Sequence, residues 1–420
     1  MSGRFRVAVL GGGVIGTTTA YALARRGFEV VLIEAREGLG LETSYANGSL
    51  ITPSMSDPWA APGLPLKLLK WIGREDAPFL IRPTALPGLL SWGLRFLRNC
   101  EESRWRSNTE TILRLAAHSQ QAMARVTDEA GLTYDLSSVG NLRLFRDKAS
   151  MDSATRVAEA LGELGVRYAM LDRAGCVDLE PALADQAALI GGGIHFPDDQ
   201  SGDAYAFTCG LGERCAELGV EMRFGERIEN LESVGSRLTA VVTDKTRHAA
   251  EHFVLALGSE SVDWARQLGM RLPIYPVKGY SVTLSAAGWN RGLRHPLIDD
   301  ARKIGIVPLG DRIRLAGTAE FAGWDRSPNP ARIDNLLNGF RALFPGFPNF
   351  ESAEDWNGLR PMTPDGIPIL GPTAIDNLSL NVGQGHLGWT MACGSAEVVA
   401  DQIAGQRPEI DVSDMTLERF

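Results

Sequence analysis

Arg360 stands inside "NGLRPMTPDGIPILGP" (357–372), where glycines, prolines and aliphatics otherwise have the composition of a packed interior. An arginine among such neighbours needs an anionic partner, because an unpaired buried charge costs several kcal/mol or more. The partner is either a protein carboxylate such as Asp365 or a ligand. Two further side chains are candidates for chemistry in the same pocket: His386, in a glycine-rich loop, and Tyr280, in "KGYSV". Each has a plainer reading, since a lone histidine is more often structural and a tyrosine in an alternating strand is more often ordinary packing.

The elements that would position such a site are legible at three places. "RVAVLGGGVIGTTTAYALARRGFEVVLIEAR" (6–36) reads as a buried strand, a glycine turn, an amphipathic helix closing at Gly27 and a second strand ending at Glu34. Gly11, Gly13 and Gly16 match G-x-G-x-x-G. The first glycine permits a tight turn, the second lets a pyrophosphate approach the backbone, and the third lets helix and strand pack closely. The cradle runs from Val9 and Leu10 through Gly12 to Val14 and Ile15, at a helix N-terminus where free N–H groups and the dipole favour an anion. Glu34, 23 positions after Gly11, is placed to accept hydrogen bonds from an adenosine ribose diol, with Arg36 just beyond it. The expectation is a dinucleotide, NAD or FAD.

After the ribose acid, "ETSYANGSL" (42–50) offers the small polar side chains of Thr43, Ser44 and Asn47 with Gly48, suited to an extended ligand. Its plainer reading is a polar loop with Asn-Gly turn chemistry. "HFVLALGS" (252–259) is a further buried strand that meets the cofactor at Gly258. The third place, "NVGQGHLGWTMACGSAEVVADQIAG" (381–405), joins an apolar strand at 378–381 to a helix from about Trp389 to Ala404. Gly383, Gly385, His386, Leu387, Gly388 and Thr390 make that connection. A second helix N-terminus suits a flavin, whose reduced ring is negative near N1, and has no obvious use for NAD.

At 420 residues two domains are the default, and 44% hydrophobic content is ample for their cores. A net charge of -9 argues against a nucleic-acid surface. Five cysteines without a CxxC and six histidines without HxxH or HExxH argue against a disulfide framework and a protein-bound metal, and favour a reducing, cytoplasmic setting. The stretch 7–24 carries no charge over 18 residues and imitates a leader or a short spanning helix, but its four glycines and three threonines fit neither.

The nucleotide-binding pieces are discontinuous in the chain. The expected fold is therefore α/β, a Rossmann-like domain of 1–55, 197–262 and 353–420 carrying an inserted α+β substrate domain with a mixed or antiparallel sheet, from 56–196 and 263–352. Candidate strands of the inserted sheet are 140–145, 274–284, 303–307 and 312–317, which alternate as a sheet with one covered face does.

Taken together, the N-terminal βαβ, "ALGS", "GLRPMTPDGIPILG" and "GQGHLGWT" resemble the D-amino-acid oxidase superfamily of FAD-dependent amine oxidoreductases. Within it, "ETSYANGSLITPS", "PWAAPGLPLKLLKW", "PVKGYSVTL", "GLRPMTPDG" and "LGWTMACGS" resemble the bacterial D-amino acid dehydrogenase small subunits, in that order and over nearly the whole chain. The resemblance implies FAD and oxidation of D-amino acids to 2-oxo acids and ammonia by hydride transfer from Cα to flavin N5. It also implies electron delivery to a quinone or other membrane acceptor. Arg360, the arginine of the matching G-x-R-P, would bind the substrate carboxylate. No cysteine or histidine matches the attachment positions of covalent flavins, so FAD is expected to be noncovalent, with Cys393 packed as a small hydrophobe. "YANGSL" and "IVPLGDRIRL" depart from the family pattern, which leaves the amino acid open rather than the cofactor.

Other readings stay open at this level. They are an oxidoreductase acting on D-hydroxyproline, sarcosine or glycine, a protein that keeps a flavin for structure, and an NAD-dependent dehydrogenase. Residues 59–98 combine leucines and tryptophans with Lys67, Lys70, Arg74, Arg95 and Arg98, which suits either a peripheral contact with the inner face of a bacterial membrane or a lid on the substrate domain.

Overall fold

A computed structural model describes residues 5–65, 68, 74–75, 77 and 79–420. Strand Arg6–Leu10 is apolar after its first residue, and such a run is stable only with both faces covered. It lies inside a six-stranded sheet with the order Ile369–Pro372, Leu378–Val382, His252–Leu255, Arg6–Leu10, Glu29–Glu34, Glu221–Phe224. All pairings are parallel except that of the edge strand Ile369–Pro372. Alternation sends Val7 and Val9 to one face, against helices Val14–Arg25, Gly388–Ile403 and Glu102–Ala130. Ala8 and Leu10 point to the other, against the antiparallel strands Ile228–Val234 and Arg237–Thr243 and helix Ser261–Gln267.

A second, nine-stranded sheet has the order Glu354–Met362, Tyr275–Ser285, Arg312–Phe321, Ile304–Leu309, Leu297–Asp299, Asn141–Phe145, Gly192–Phe196, Ala169–Leu171, with Phe79–Ile81 pairing alongside Arg312–Phe321. It is mixed: Asn141–Phe145 runs parallel to Leu297–Asp299, and most other pairs are antiparallel. Its core, around Val282, Leu284, Ile306 and Leu315, is closed by helix Pro330–Leu343.

The fold class is therefore the expected α/β sheet with an added mixed-sheet unit. Two elements cross the division drawn from sequence. Strand Glu354–Met362 hydrogen-bonds along Tyr275–Ser285 in the nine-stranded sheet. Helix Glu102–Ala130 buries Ile112, Leu115 and Met123 against Ala392 and Ala396 of the last helix, which gives its apolar stripe a partner.

Candidate active site

A cavity of about 1240 Å³ is lined by residues of both sheets. At one end lies the first βαβ unit. Gly11 has φ 109°, and a Cβ there would stand 2.6 Å from the carbonyl oxygen of Ala256, so only glycine lets the two strand ends meet. A Cβ on Gly16 would fall 1.8 Å from the carbonyl oxygen of Gly11, which fixes the close approach of helix and turn. The Glu34 carboxylate accepts from the amides of Gly12 at 2.6 Å and Arg36 at 2.7 Å. Burial raises its pKa against the pull of those amides. Ser44 Oγ accepts from the Val14 amide at 3.0 Å, whereas no acceptor is found for the amides of Gly13 and Ile15 among the described residues. These amides, the acid and the open cavity match a pyrophosphate and ribose.

Gly11, Gly13, Val14, Ile15, Glu34, Arg36, Thr43, Ser44, Asn47, Gly48, Gly258, Gly385, His386, Leu387 and Gly388 all line this cavity. Val9, Leu10, Gly12, Gly16, Gly383 and Thr390 stand behind its wall. Val9 and Leu10 are buried strand, Gly383 turns with φ 81°, and Thr390 Oγ1 accepts from the Thr52 amide at 3.1 Å. Arg36 is tied to Glu42. Thr43 donates to the Leu359 carbonyl at 3.0 Å, and Asn47 Oδ1 accepts from the Ser49 amide at 2.9 Å. The last helix starts at Gly388 with no side-chain cap, so its N-terminus is open beside Gly385 and His386.

Arg360 lies on the far side of the cavity. Its strand pairs Val277 with Arg360 and Gly279 with Gly358. The guanidinium is folded back over Gly279, where an added Cβ would be 2.1 Å from Nη1. Nη1 donates to the Thr318 carbonyl at 3.1 Å. That carbonyl is turned by a register shift in which Lys278 pairs with Glu320 but Tyr280 with Gly317, with Thr318 at φ 57°. Among the described residues no carboxylate lies within ion-pair distance of Arg360, and Asp365 is bound to Arg419 at 2.8 Å. Burial lowers the Arg360 pKa to about 10. The cation is therefore left without a counter-ion among the described residues.

Beside it, burial first and the Arg360 charge second push the His386 imidazole down to about 4, so it is neutral at physiological pH. Its ring stacks on Trp59, with centroids 5.1 Å apart. Tyr280 also borders the cavity, but it is only 1% exposed and its hydroxyl donates to Glu320. Lys278 Nζ approaches the same carboxylate at 3.8 Å. The tyrosine oxygen is thus committed to a buried charge network, and its pKa is raised by burial and by Glu320.

Sequence reasoning placed Trp59 in the membrane-or-lid segment rather than beside His386, and passed over Gly279 and Thr318. Glycines inside alternating strands, Gly279 and Gly317, were the available signal, since they mark bulges and close approaches. All five cysteines are free, and Cys393 is 2% exposed in the core. Among the described residues no group of side chains could hold a metal.

The family described as FAD dependent oxidoreductase matches residues 6–402. A D-amino acid dehydrogenase of Paramagnetospirillum magneticum is 45% identical over 99% of both chains. One of Allorhizobium ampelinum is 43% identical over 99% of this chain and 98% of its own. Among solved structures, glycine oxidase from Geobacillus kaustophilus shares the fold with a TM-score of 0.76 at 23% identity, covering 99% of each chain. L-proline dehydrogenase from P. horikoshii does so with a TM-score of 0.78 at 18% identity, covering 100% of this chain and 98% of its own. The glycine cradle, the Glu34 carboxylate and the second open helix N-terminus fit FAD, and the chain belongs to the FAD dependent oxidoreductase family.

Proposed function

We propose that this protein oxidises D-amino acids to 2-oxo acids and ammonia, with Arg360 holding the substrate carboxylate. The observation that carries this reading is a guanidinium facing the FAD cavity with no carboxylate paired to it among the described residues. The similarity to D-amino acid dehydrogenases over 99% of both chains supports the substrate class.

FAD, when bound, supplies the two-electron acceptor for the Cα hydrogen and its electron pair. The protein's part is binding and orientation. Arg360 grips the carboxylate through two parallel hydrogen bonds while Thr318 fixes its far nitrogen, so the carboxylate position is set by backbone. His386, held near a pKa of about 4, is too weak a base to deprotonate an ammonium. The substrate therefore reacts as the free amine, and turnover rises with pH through the substrate's own amine titration. Water then hydrolyses the imino product, releasing ammonia.

Electrons leave to an acceptor, for which we infer a quinone at a lipid surface. Helix Leu86–Asn99 buries Leu89, Trp92 and Phe96, leaving Leu86, Leu90, Leu94 and Leu97 between 46 and 67% exposed in one stripe beside Arg95 and Arg98. Its inner face thus packs as a wall of the substrate unit, and its outer face suits an anionic interface. Lys67 and Lys70, part of that expectation, lie outside the described residues. Among the described residues no helix is long and apolar enough to cross a membrane. Flotation with anionic liposomes at low salt tests the contact, and protein remaining at the bottom refutes it.

The function itself is tested by mixing the yellow holoenzyme anaerobically with single D-amino acids. The expected result is flavin bleaching with one 2-oxo acid and one ammonia formed per flavin. Bleaching by dithionite but by no D-amino acid, or by sarcosine and D-hydroxyproline alone, contradicts it.

A further inference from the structure

Four charged side chains from three separate segments meet in the wall of the same cavity: Asp57, Arg143, Asp300 and Lys303. Three of them are hydrogen-bonded together. Arg143 bonds to Asp300 Oδ1 at 2.7 Å, and Lys303 bonds to the same oxygen at 2.6 Å. Lys303 holds this position on a left-handed backbone, φ 55°, which a lysine adopts only when its surroundings impose it. Asp57 is different. It borders the cavity, and among the described residues it has neither an ion-pair partner nor a side-chain hydrogen-bond donor. It sits two residues from Trp59, the ring stacked on His386, so its loop reaches from the Arg360 end of the cavity to the charged wall.

We propose that Asp57 docks a cationic side chain, so that the enzyme favours D-amino acids ending in a guanidinium or ammonium group. The inference rests on Arg360 being the carboxylate site. With Arg360 and Asp57 in one cavity, the site offers a cation for the α-carboxylate and an anion for the far end of a basic amino acid. An aliphatic side chain leaves the Asp57 carboxylate without a hydrogen-bonded cation, and an acidic one adds like-charge repulsion, so both are disfavoured. Arg143 and Lys303 act on Asp57 through their charge, but their hydrogen bonds go to Asp300, which leaves the Asp57 carboxylate without a bonded cation among the described residues. Consistent with this, burial raises the Asp57 carboxyl to about 6 in spite of those two cations.

Equilibrium binding to the holoenzyme, read from the flavin spectrum, tests the idea with carboxylates that lack an amine and are not oxidised. δ-Guanidinovalerate should bind about thirtyfold more tightly than valerate, the scale of pairing one buried charge. In Asp57→Asn the two should bind within about threefold of each other, with valerate bound at least as tightly as by the wild-type protein. Equal binding of both in the wild-type protein, a preference for glutarate, or a preference that survives Asp57→Asn each overturns the proposal. If equal binding comes with valerate affinity that Arg360→Lys removes, only the Asp57 proposal falls. If no carboxylate binds, the Arg360 reading falls with it.

Discussion

Replacing Gly279 with alanine adds one methyl group behind Arg360. An ideal Cβ there stands 2.1 Å from Nη1, 2.2 Å from Cζ and 2.4 Å from Nη2. Carbon needs about 3.5 Å from such atoms, so the guanidinium must move by roughly 1 Å or more. That shift also breaks the 3.1 Å bond to the Thr318 carbonyl, which sets its angle. A misplacement of about 1 Å in a positioning group costs on the order of 100-fold in rate, near 2.7 kcal/mol. Gly279 has no positive φ and stays within its strand, so the backbone tolerates the change. Gly279→Ala should therefore be yellow, with a melting temperature near that of the wild type and kcat/KM for a D-amino acid lowered about 100-fold. Steady-state kinetics beside a flavin spectrum and a thermal melt measure this. A kcat/KM within about threefold of wild type would refute the claim that the fold-back over Gly279 sets the carboxylate site.

Gly16→Ala places a Cβ 1.8 Å from the Gly11 carbonyl oxygen and must open the turn; purified protein should retain little flavin and lose on the order of 1–3 kcal/mol of stability by denaturant titration. Asp199, 2% exposed and bonded to Ser54 and Asn141, has its carboxyl raised by burial to about 7. Its unfolded value is 3.8, so between pH 4 and 7 the folded state holds the extra proton and stability contributed by Asp199 is lost as pH rises. Asp199→Asn removes that loss, so the stability difference, variant minus wild type, should grow by about 1–3 kcal/mol from pH 5 to pH 8; a difference that stays flat or shrinks contradicts the assignment.

The nucleotide end was readable because its determinants are local. Gly11, Gly16 and Glu34 act within one βαβ unit, and the spacing that makes the turn also makes the site. Arg360 was readable as a cation in apolar company. Its environment was not, because the Thr318 carbonyl reaches it from another strand, 42 residues away, through a bulge. Tyr280 shows the same limit from the other side. Alternation placed it on a strand, but Glu320, 40 residues on, captures its hydroxyl. Asp57, Arg143, Asp300 and Lys303 carry no motif and become a cluster only when strands Asn141–Phe145, Leu297–Asp299 and Ile304–Leu309 pair.

The central claim is that Arg360 holds the substrate carboxylate over the cofactor, and Arg360→Lys tests it most directly. Lysine keeps the charge but loses the two-pronged grip, which removes on the order of 2–5 kcal/mol of transition-state stabilisation, about 30- to 5,000-fold in kcat/KM. The expected result is a folded, yellow variant whose flavin is reduced by a D-amino acid that much more slowly. Near-normal kcat/KM, or a protein that no longer folds or binds flavin, would contradict it.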